Sequence, residues 1–217
     1  MINMEDRVIK INKDNPQEFS DFITNKIEQC IHILARGGVI VFPTETLYGL
    51  GVDINNDQAI DRLLSLKGRP KNMPIAVAVA DLKQAEQVAK ISENAKRFII
   101  DIMPKPLTLL LPVKQCVSVQ LTGGLNLVGL RFPDEPVTHA LLERYGPLTA
   151  TSANVHGKKD PVNIADALAQ LGSQVDMYID TGQCKIGKPS TVVDISGNTI
   201  KIIRYGACSG EELERYC

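Results

Sequence analysis

The sequence predicts an α/β fold: a large, twisted, mixed parallel and antiparallel sheet with flanking helices. Three observations carry this. Helical periodicities alternate with short buried apolar runs through the first half of the chain, the last third is rich in strand patterns, and Ser196-Gly197-Asn198 joins two of those final strands as a hairpin. The chain has 217 residues, 44% hydrophobic and 23% charged, enough apolar material for a sizeable core. A prior of roughly 150 residues per domain favours one unit over residues 1–217.

Each element has a local cause. Asn15-Pro16-Gln17-Glu18 reads as a helix start, with Asn15 as N-cap, Pro16 at the first helical position and Glu18 as capping-box partner. Phe19, Phe22, Ile23, Ile27, Cys30, Ile31 and Leu34 follow at helical spacing, and Gly37-Gly38 ends the run. Residues 39–42 form a β-branched strand closed by Pro43, which delivers the polar segment Thr44-Glu45-Thr46-Leu47-Tyr48 to the sheet end. A helix over 57–67 places Ile60, Leu63 and Leu64 on one face and stops at Gly68. The continuous apolar run 75–80 reads as a buried strand. Helical patterns return at 81–90 and 92–103, and strand patterns at 107–113, 117–121 and 127–132. A helix over 136–145, a strand over 148–151 and a helix over 163–171 ended by Gly172 come next. Strands at 177–180, 191–195 and 199–204 close the sheet, and Ser209-x-x-Glu212 opens a short terminal helix.

Composition excludes several function classes. Lys and Arg number 24 against 25 Asp and Glu, for a formal charge of −1, so the overall field does not suit a coat for nucleic acid or anionic membrane. Aromatics are 5% and Trp is absent, leaving little from which to build a base-stacking platform. Cys30, Cys116, Cys184, Cys208 and Cys217 offer neither a Cys-x-x-Cys pair nor a disulfide framework, and His32, His139 and His156 stand near none of them in zinc-ligand spacing. No protein-bound metal is therefore expected. The charged first fifteen residues lack a signal-peptide h-region, and the longest uncharged stretch, 115–130, is broken by Gly123, Gly124 and Asn126, short of the ~20 apolar residues of a membrane span. Reduced thiols in a cytoplasm are the expectation.

The candidate chemistry lies at strand and helix ends. Lys67, Arg69 and Lys71 alternate through the proline-stiffened segment Lys67-Gly68-Arg69-Pro70-Lys71-Asn72-Met73-Pro74, where cations can converge on a phosphate or carboxylate. A solvated charged loop is the competing reading. Arg131 ends the apolar run Leu127-Val128-Gly129-Leu130, placing a guanidinium where open α/β sheets bind ligands, and Arg204 is placed similarly after Ile202-Ile203. A salt bridge would also account for either. Thr149-Ala150-Thr151-Ser152-Ala153-Asn154, followed by Gly157-Lys158-Lys159-Asp160, is a string of small residues that lets backbone approach a ligand closely. Ser152 has no Gly-x-Ser-x-Gly elbow around it and no evident base, which argues against a nucleophile. Gly182-Gln183-Cys184-Lys185-Ile186-Gly187-Lys188 fits the first seven places of a P-loop. Pro189 stands where the Ser or Thr belongs, and the next residues are a strand pattern rather than a helix.

Together these segments resemble the YrdC family of threonylcarbamoyl-AMP synthases. The matching pieces are 43–51 (Pro-Thr-Glu-Thr-Leu-Tyr-Gly-Leu-Gly), Lys67-Gly68-Arg69-Pro70, Pro106-Leu107-Thr108, Gly129-Leu130-Arg131-Phe132-Pro133, Thr151-Ser152-Ala153-Asn154 and Pro189-Ser190-Thr191-Val192-Val193-Asp194 with Ile203-Arg204. They occur in family order from about residue 28 to 207. The resemblance implies a basic concave cavity on a twisted mixed sheet, and a reaction of L-threonine, bicarbonate and ATP that yields threonylcarbamoyl-AMP and pyrophosphate. ATP is then a substrate, with magnesium expected to accompany it. Lys67 and Arg69 are implied as the catalytic cations. Thr46, Arg131 and Ser190 are implied as the threonine pocket, with Arg131 bidentate to the carboxylate. Lys67, Arg69, Met73, Leu127, Ala150, Ser152, Asn154, Asp160 and Arg204 are implied as ATP contacts. The product would pass to a transferase complex that modifies tRNA, with any tRNA contact by this chain indirect.

Four departures stand out: Met73 where relatives carry Asn, Ala78 where they carry His, His156 for a common Ser and Met103 for a common Trp. The extra C-terminal domain of the longer relatives is not expected here, and any lid it supplies is then expected to be dispensable or to come from a partner. Two other readings remain. One is an RNA-binding module that gathers Lys67, Arg69, Lys71, Lys158 and Lys159 into a basic patch. The other is a carbamoyl-adenylate enzyme with a different acceptor, which Ala78 raises.

Overall fold

The computed structural model describes residues 4–197 and 199–214. In chain order the elements are β1 (Val8–Lys10), α1 (Pro16–Asp21), a π-helical turn (Phe22–Lys26), α2 (Ile27–Ala35), β2 (Ile40–Phe42) and β3 (Gly49–Gly51). They continue with α3 (Asp57–Lys67), β4 (Ala76–Ala78), α4 (Leu82–Val88), α5 (Glu93–Ile102), β5 (Leu107–Pro112), α6 (Val119–Thr122) and β6 (Leu127–Arg131). The last are α7 (Pro136–Tyr145), β7 (Leu148–Ser152), α8 (Ile164–Leu171), β8 (Met177–Asp180), β9 (Thr191–Asp194), β10 (Lys201–Arg204) and α9 (Gly210–Glu214).

The strands form one ten-stranded sheet in the order β1-β8-β2-β3-β7-β4-β6-β5-β9-β10. β1 and β2 each pair with β8 in parallel, as do β4 with β6 and β5 with β9, while the remaining pairs are antiparallel. The mixed sheet expected from the sequence is therefore present. Its two faces are covered unequally. Side chains of one face, including Val41, Leu50, Val77, Leu109, Leu130, Val193 and Tyr178, join the main core with α3, α4, α5 and α8. Opposite them, Ile40, Phe42, Ala78, Leu148, Met177 and Ile179 pack on α2 and α7. Because strand side chains alternate, Gly49, Ala76, Gly129, Ala150, Thr108 and Leu110 share this second face, and they line an open cavity instead of a helix.

Local side chains cap the helices, with one refinement of the sequence reading at Glu18. Asn56, Asp81, Ser92 and Asn163 accept from backbone N–H groups of α3, α4, α5 and α8, and Gly68 ends α3 in the left-handed conformation. Asn15 Oδ1 accepts from Gln17 N at 3.0 Å, whereas Glu18 reaches past the cap and accepts from Asn12 N at 2.9 Å. Its other oxygen accepts from Asn15 Nδ2 at 3.1 Å, so Glu18 ties both the entering loop and the cap side chain to the helix.

Several elements differ from expectation, among them the unanticipated edge strand β1 and the π-helical turn that interrupts the first helical run. Residues 117–121, with Val117 and Val119 at strand spacing, contain the short helix α6: Ser118 Oγ accepts from Gln120 N at 3.2 Å and Gly123 closes the turn at φ 61°. Local capping outweighs the β-branched pattern there. Conversely β3 has glycine at both ends, poor strand propensity, yet pairs with β2 and β7. A Cβ on Gly49 would stand 2.7 Å from the Phe42 ring, so only glycine lets that ring lie across the strand. The final hairpin joins β9 and β10 as expected. Its turn residue Asn198 and the side chain of Glu212 lie outside the description, as does Cys217.

Candidate active site

The uncovered half of the sheet is the floor of a cavity of about 520 Å³. Gly49, Ala76, Gly129 and Ala150 leave the floor nearly bare, and the loops after β2, α3, β7 and before β9 supply the rim. Such a volume suits a small-molecule ligand. Of the residues singled out from sequence, Thr46, Arg69, Met73, Arg131, Ala150, Ser152, Asp160, Ser190 and Arg204 line this cavity together. Leu127 lies at the start of β6 and is not among the lining residues, nor are Lys67 and Asn154.

Lys67 is instead driven inward. Its side chain is fully buried, and Nζ donates to the carbonyl of Ser152, to the Asn154 carbonyl at 2.7 Å and to Asn154 Oδ1 at 3.3 Å. Three acceptors match the three N–H donors of an ammonium; a neutral amine would leave its lone pair facing an oxygen. Burial, and then the neighbouring Arg69, push this ammonium down to about 7, opposed by Asp160. Ser152 Oγ donates to Asn154 Oδ1 at 2.6 Å, and Asn154 Nδ2 donates to the Lys158 carbonyl at 2.9 Å. Lys67 and Asn154 therefore hold the 152–158 loop from beneath, and the loop presents Ser152 to the cavity.

Arg69 and Arg204 face the same space. Arg69 Nη2 donates to the Pro74 carbonyl at 2.8 Å, bracing the 69–74 loop, and Arg204 Nη2 donates to the Ser190 carbonyl at 2.9 Å. Burial lowers the Arg69 pKa and the positive Arg204 lowers it further, so like charges are held close without a protein carboxylate between them. Asp160 is the sole carboxylate lining the cavity among the described residues. The other candidate cations turn away. Lys71 pairs with Asp61 at 2.7 Å and Lys159 with Asp166 at 2.9 Å, and neither joins Arg69 in the cavity lining, so the cations of the RNA-binding reading are not gathered there.

A further part of the lining is polar and buried. Arg131 Nη1 donates to the Leu107 carbonyl at 3.1 Å, and Nη2 pairs with Glu45. Burial pushes the guanidinium down to about 10, still charged at neutral pH. Thr44 Oγ1 accepts from Thr46 N and Leu47 N at 3.2 and 3.1 Å, turning the 43–48 loop so that Thr46 lines the cavity. Thr108 and Ser190 hydroxyls meet at 2.7 Å. Thr44 and Tyr48, in the polar segment read as presented at the sheet end, line the site, as does Thr108, which was not a candidate from sequence although its hydroxyl sits in the quoted Pro106-Leu107-Thr108 motif. Ala78 is fully buried in the second core and does not line the cavity. The near-miss P-loop is irregular chain that packs on the 43–48 loop, with Ile186 N and Gly187 N donating to Glu45 and Thr46 carbonyls at 2.9 and 3.0 Å.

The family model Sua5_yciO_yrdC, described as "Telomere recombination", matches residues 32–206. The chain belongs to the Sua5/YciO/YrdC family. A family member of Vibrio vulnificus named threonylcarbamoyl-AMP synthase is 30% identical over 188 residues, covering 85% of this chain and 100% of that protein. The Bacillus subtilis threonylcarbamoyl-AMP synthase is 35% identical over 192 residues, 87% of this chain, and this chain spans only 56% of its length. The structure of Pyrococcus abyssi Sua5 complexed with L-threonine superposes with a TM-score of 0.88 at 32% identity, covering 96% of this chain and 60% of that one. The Sua5/YciO/YrdC assignment agrees with the bare-floored sheet and its cationic rim.

Proposed function

We propose that the chain is an L-threonylcarbamoyl-AMP synthase, using threonine, bicarbonate and ATP and releasing pyrophosphate. The observation that carries the reading is the cavity itself: Arg69 and Arg204 crowd like charge in its lining, and the buried Arg131 with Thr46 and Ser190 lines the same space. A polyanion fits the first set and a small zwitterion the second. Names of full-length relatives support the same chemistry.

In this reading the threonine amine attacks the carbonyl carbon of bicarbonate and water leaves, giving a carbamate. A carbamate oxygen then attacks the α-phosphorus of ATP in line, forming the acyl phosphate bond as the bond to the pyrophosphate oxygen breaks. The nucleophile comes from the substrate, so this chain contributes positioning and charge stabilisation. Arg69 and Arg204 would meet the phosphates. Lys67 would act from below, through its charge and through the Ser152–Asn154 loop it holds. Arg131 would take the threonine carboxylate beside Thr46 and Ser190, while the Ala150 methyl leaves space for the nucleotide. Magnesium carried by ATP would belong to the substrate, and Asp160 has the hard oxygen chemistry to meet it. The product is a reactive mixed anhydride, to be consumed by a transferase acting on tRNA.

Omission assays test this. Pyrophosphate release is expected to need threonine, bicarbonate and ATP together; release indifferent to threonine would overturn the reading. Calorimetric binding of threonine in preference to other amino acids separates it from a relative with another acceptor.

Lys67 adds a pH prediction. With its proton shed near 7, kcat/KM for ATP is expected to fall as pH rises through about 7, because the free enzyme loses a cation under the phosphates. Lys67→Met should flatten that limb. The stability effect has the opposite sign: between about 7 and 10.5 the unfolded chain keeps a proton the folded chain releases, so this group's contribution to stability rises with pH. Melting curves of both proteins across that window check it, and parallel profiles would contradict it.

A further inference from the structure

We propose that Glu45 is a positioning residue for substrate binding: it fixes the Arg131 guanidinium in the wall of the cavity in the orientation that receives the threonine carboxylate. The proposal rests on the reading of the cavity as a threonylcarbamoyl-AMP synthase site. Glu45 does not line the cavity and touches no substrate position; its action is through Arg131.

The geometry is closed on every side. The Arg131 and Glu45 side chains are 6% and 4% exposed, and Arg131 Nη2 pairs with Glu45 Oε1. Glu45 Oε2 accepts from Asp134 N at 3.1 Å, and its backbone carbonyl accepts from Ile186 N at 2.9 Å. Arg131 Nη1 donates to the Leu107 carbonyl at 3.1 Å and the Lys105 carbonyl at 3.3 Å. Glu45 thus joins the loop after β2 to the end of β6 and to the 182–190 segment, and the guanidinium is gripped between it and the start of β5. One edge of the fork is committed to protein. A ligand carboxylate can therefore meet it only from the cavity side, in a fixed plane, which suits bidentate recognition.

Charge and hydrogen-bond polarity both require a carboxylate at position 45. A buried guanidinium without a counter-ion is costly, so the pair keeps Arg131 charged and in place before substrate arrives. Both Glu45 oxygens face donors, Arg131 Nη2 and Asp134 N–H. An amide would turn its NH2 toward one of them, displacing either the guanidinium or the β6–α7 turn.

The test is steady-state kinetics and threonine calorimetry on the whole chain carrying Glu45→Gln, with Glu45→Asp as a companion that retains the buried charge and so keeps the fold. A misplaced guanidinium is expected to raise the threonine KM and Kd by about 10-fold or more in Glu45→Gln, and by less in Glu45→Asp. KM for ATP should stay within about twofold in both, a split that general loosening of the fold would not produce. Should Glu45→Gln fail to fold, Glu45→Asp decides alone. Threonine constants within about twofold of wild type in a folded variant, or equal losses for threonine and ATP, overturn the proposal. A wild-type protein that turns over with threonine beside an unaffected variant overturns this inference only. A wild type that binds no threonine overturns the synthase reading and this inference with it.

Discussion

Arg69→Gln is expected to slow threonine-dependent pyrophosphate release by at least ~10²-fold, as loss of a donor aimed at developing charge costs roughly 2.7 kcal/mol or more. The glutamine amide falls where Arg69 Nε now donates to the Met73 carbonyl at 3.5 Å, so one brace of the 69–74 loop is retained while the bond from Nη2 to the Pro74 carbonyl is lost. The melting temperature should therefore stay near that of wild type while kcat/KM falls. Arg69 already sits against the positive Arg204, with its pKa lowered by burial and by that neighbour. A bound polyphosphate relieves this repulsion, so removing one partner should reduce the gain on binding ATP. Unchanged turnover in a folded Arg69→Gln protein would remove Arg69 from the mechanism.

The second large effect is on stability. Arg131→Met leaves the Glu45 carboxylate buried without its counter-ion, a change expected to destabilise by about 3–5 kcal/mol. For a chain of this size that corresponds to a fall in Tm of roughly 6–20 °C. Adding Glu45→Gln to Arg131→Met should recover most of the loss, because a pair of neutral side chains has no uncompensated charge, while threonine binding stays lost. Thermal denaturation of the two single variants and the double completes the cycle. A single Arg131→Met protein melting within about 2 °C of wild type would show that the pair is not the internal tie described here.

The formal charge of −1 concealed the charge distribution that matters. Lys71 and Lys159 are neutralised locally by Asp61 and Asp166, whereas Arg69 and Arg204 meet in one cavity, so a near-neutral sum coexists with a cationic site. Where local chemistry decides structure, the sequence was informative. Asn15 before α1 and Gly68 after α3 each cap the helix they were read to cap. The strand ends bearing Arg131 and Arg204 were likewise legible, since an arginine closing an apolar run marks the ligand-binding end of the sheet.

Long-range packing set the limits. β3 was missed because Gly49 and Gly51 have no strand preference of their own; the Phe42 ring lying across them is the cause, and it comes from the neighbouring strand. α6 was read as a strand because Val117 and Val119 alternate, while the Ser118 cap and Gly123 turn decide otherwise. Lys67 reads from sequence as one of three cations converging on a phosphate or carboxylate, and only the 152–154 loop folding back beneath it supplies the acceptors that bury it. Glu45 reads as one polar residue among several, until Arg131, far along the chain, is brought against it.

The central claim is that one cavity joins threonine and bicarbonate to the α-phosphate of ATP. Incubation with carbon-labelled bicarbonate, threonine and ATP, followed by chromatography of the nucleotides, tests it most directly. The label is predicted to appear in an adenylate that also contains threonine, in equal amount to the pyrophosphate released. Pyrophosphate without labelled adenylate, or ADP and phosphate as the nucleotide products, would contradict it.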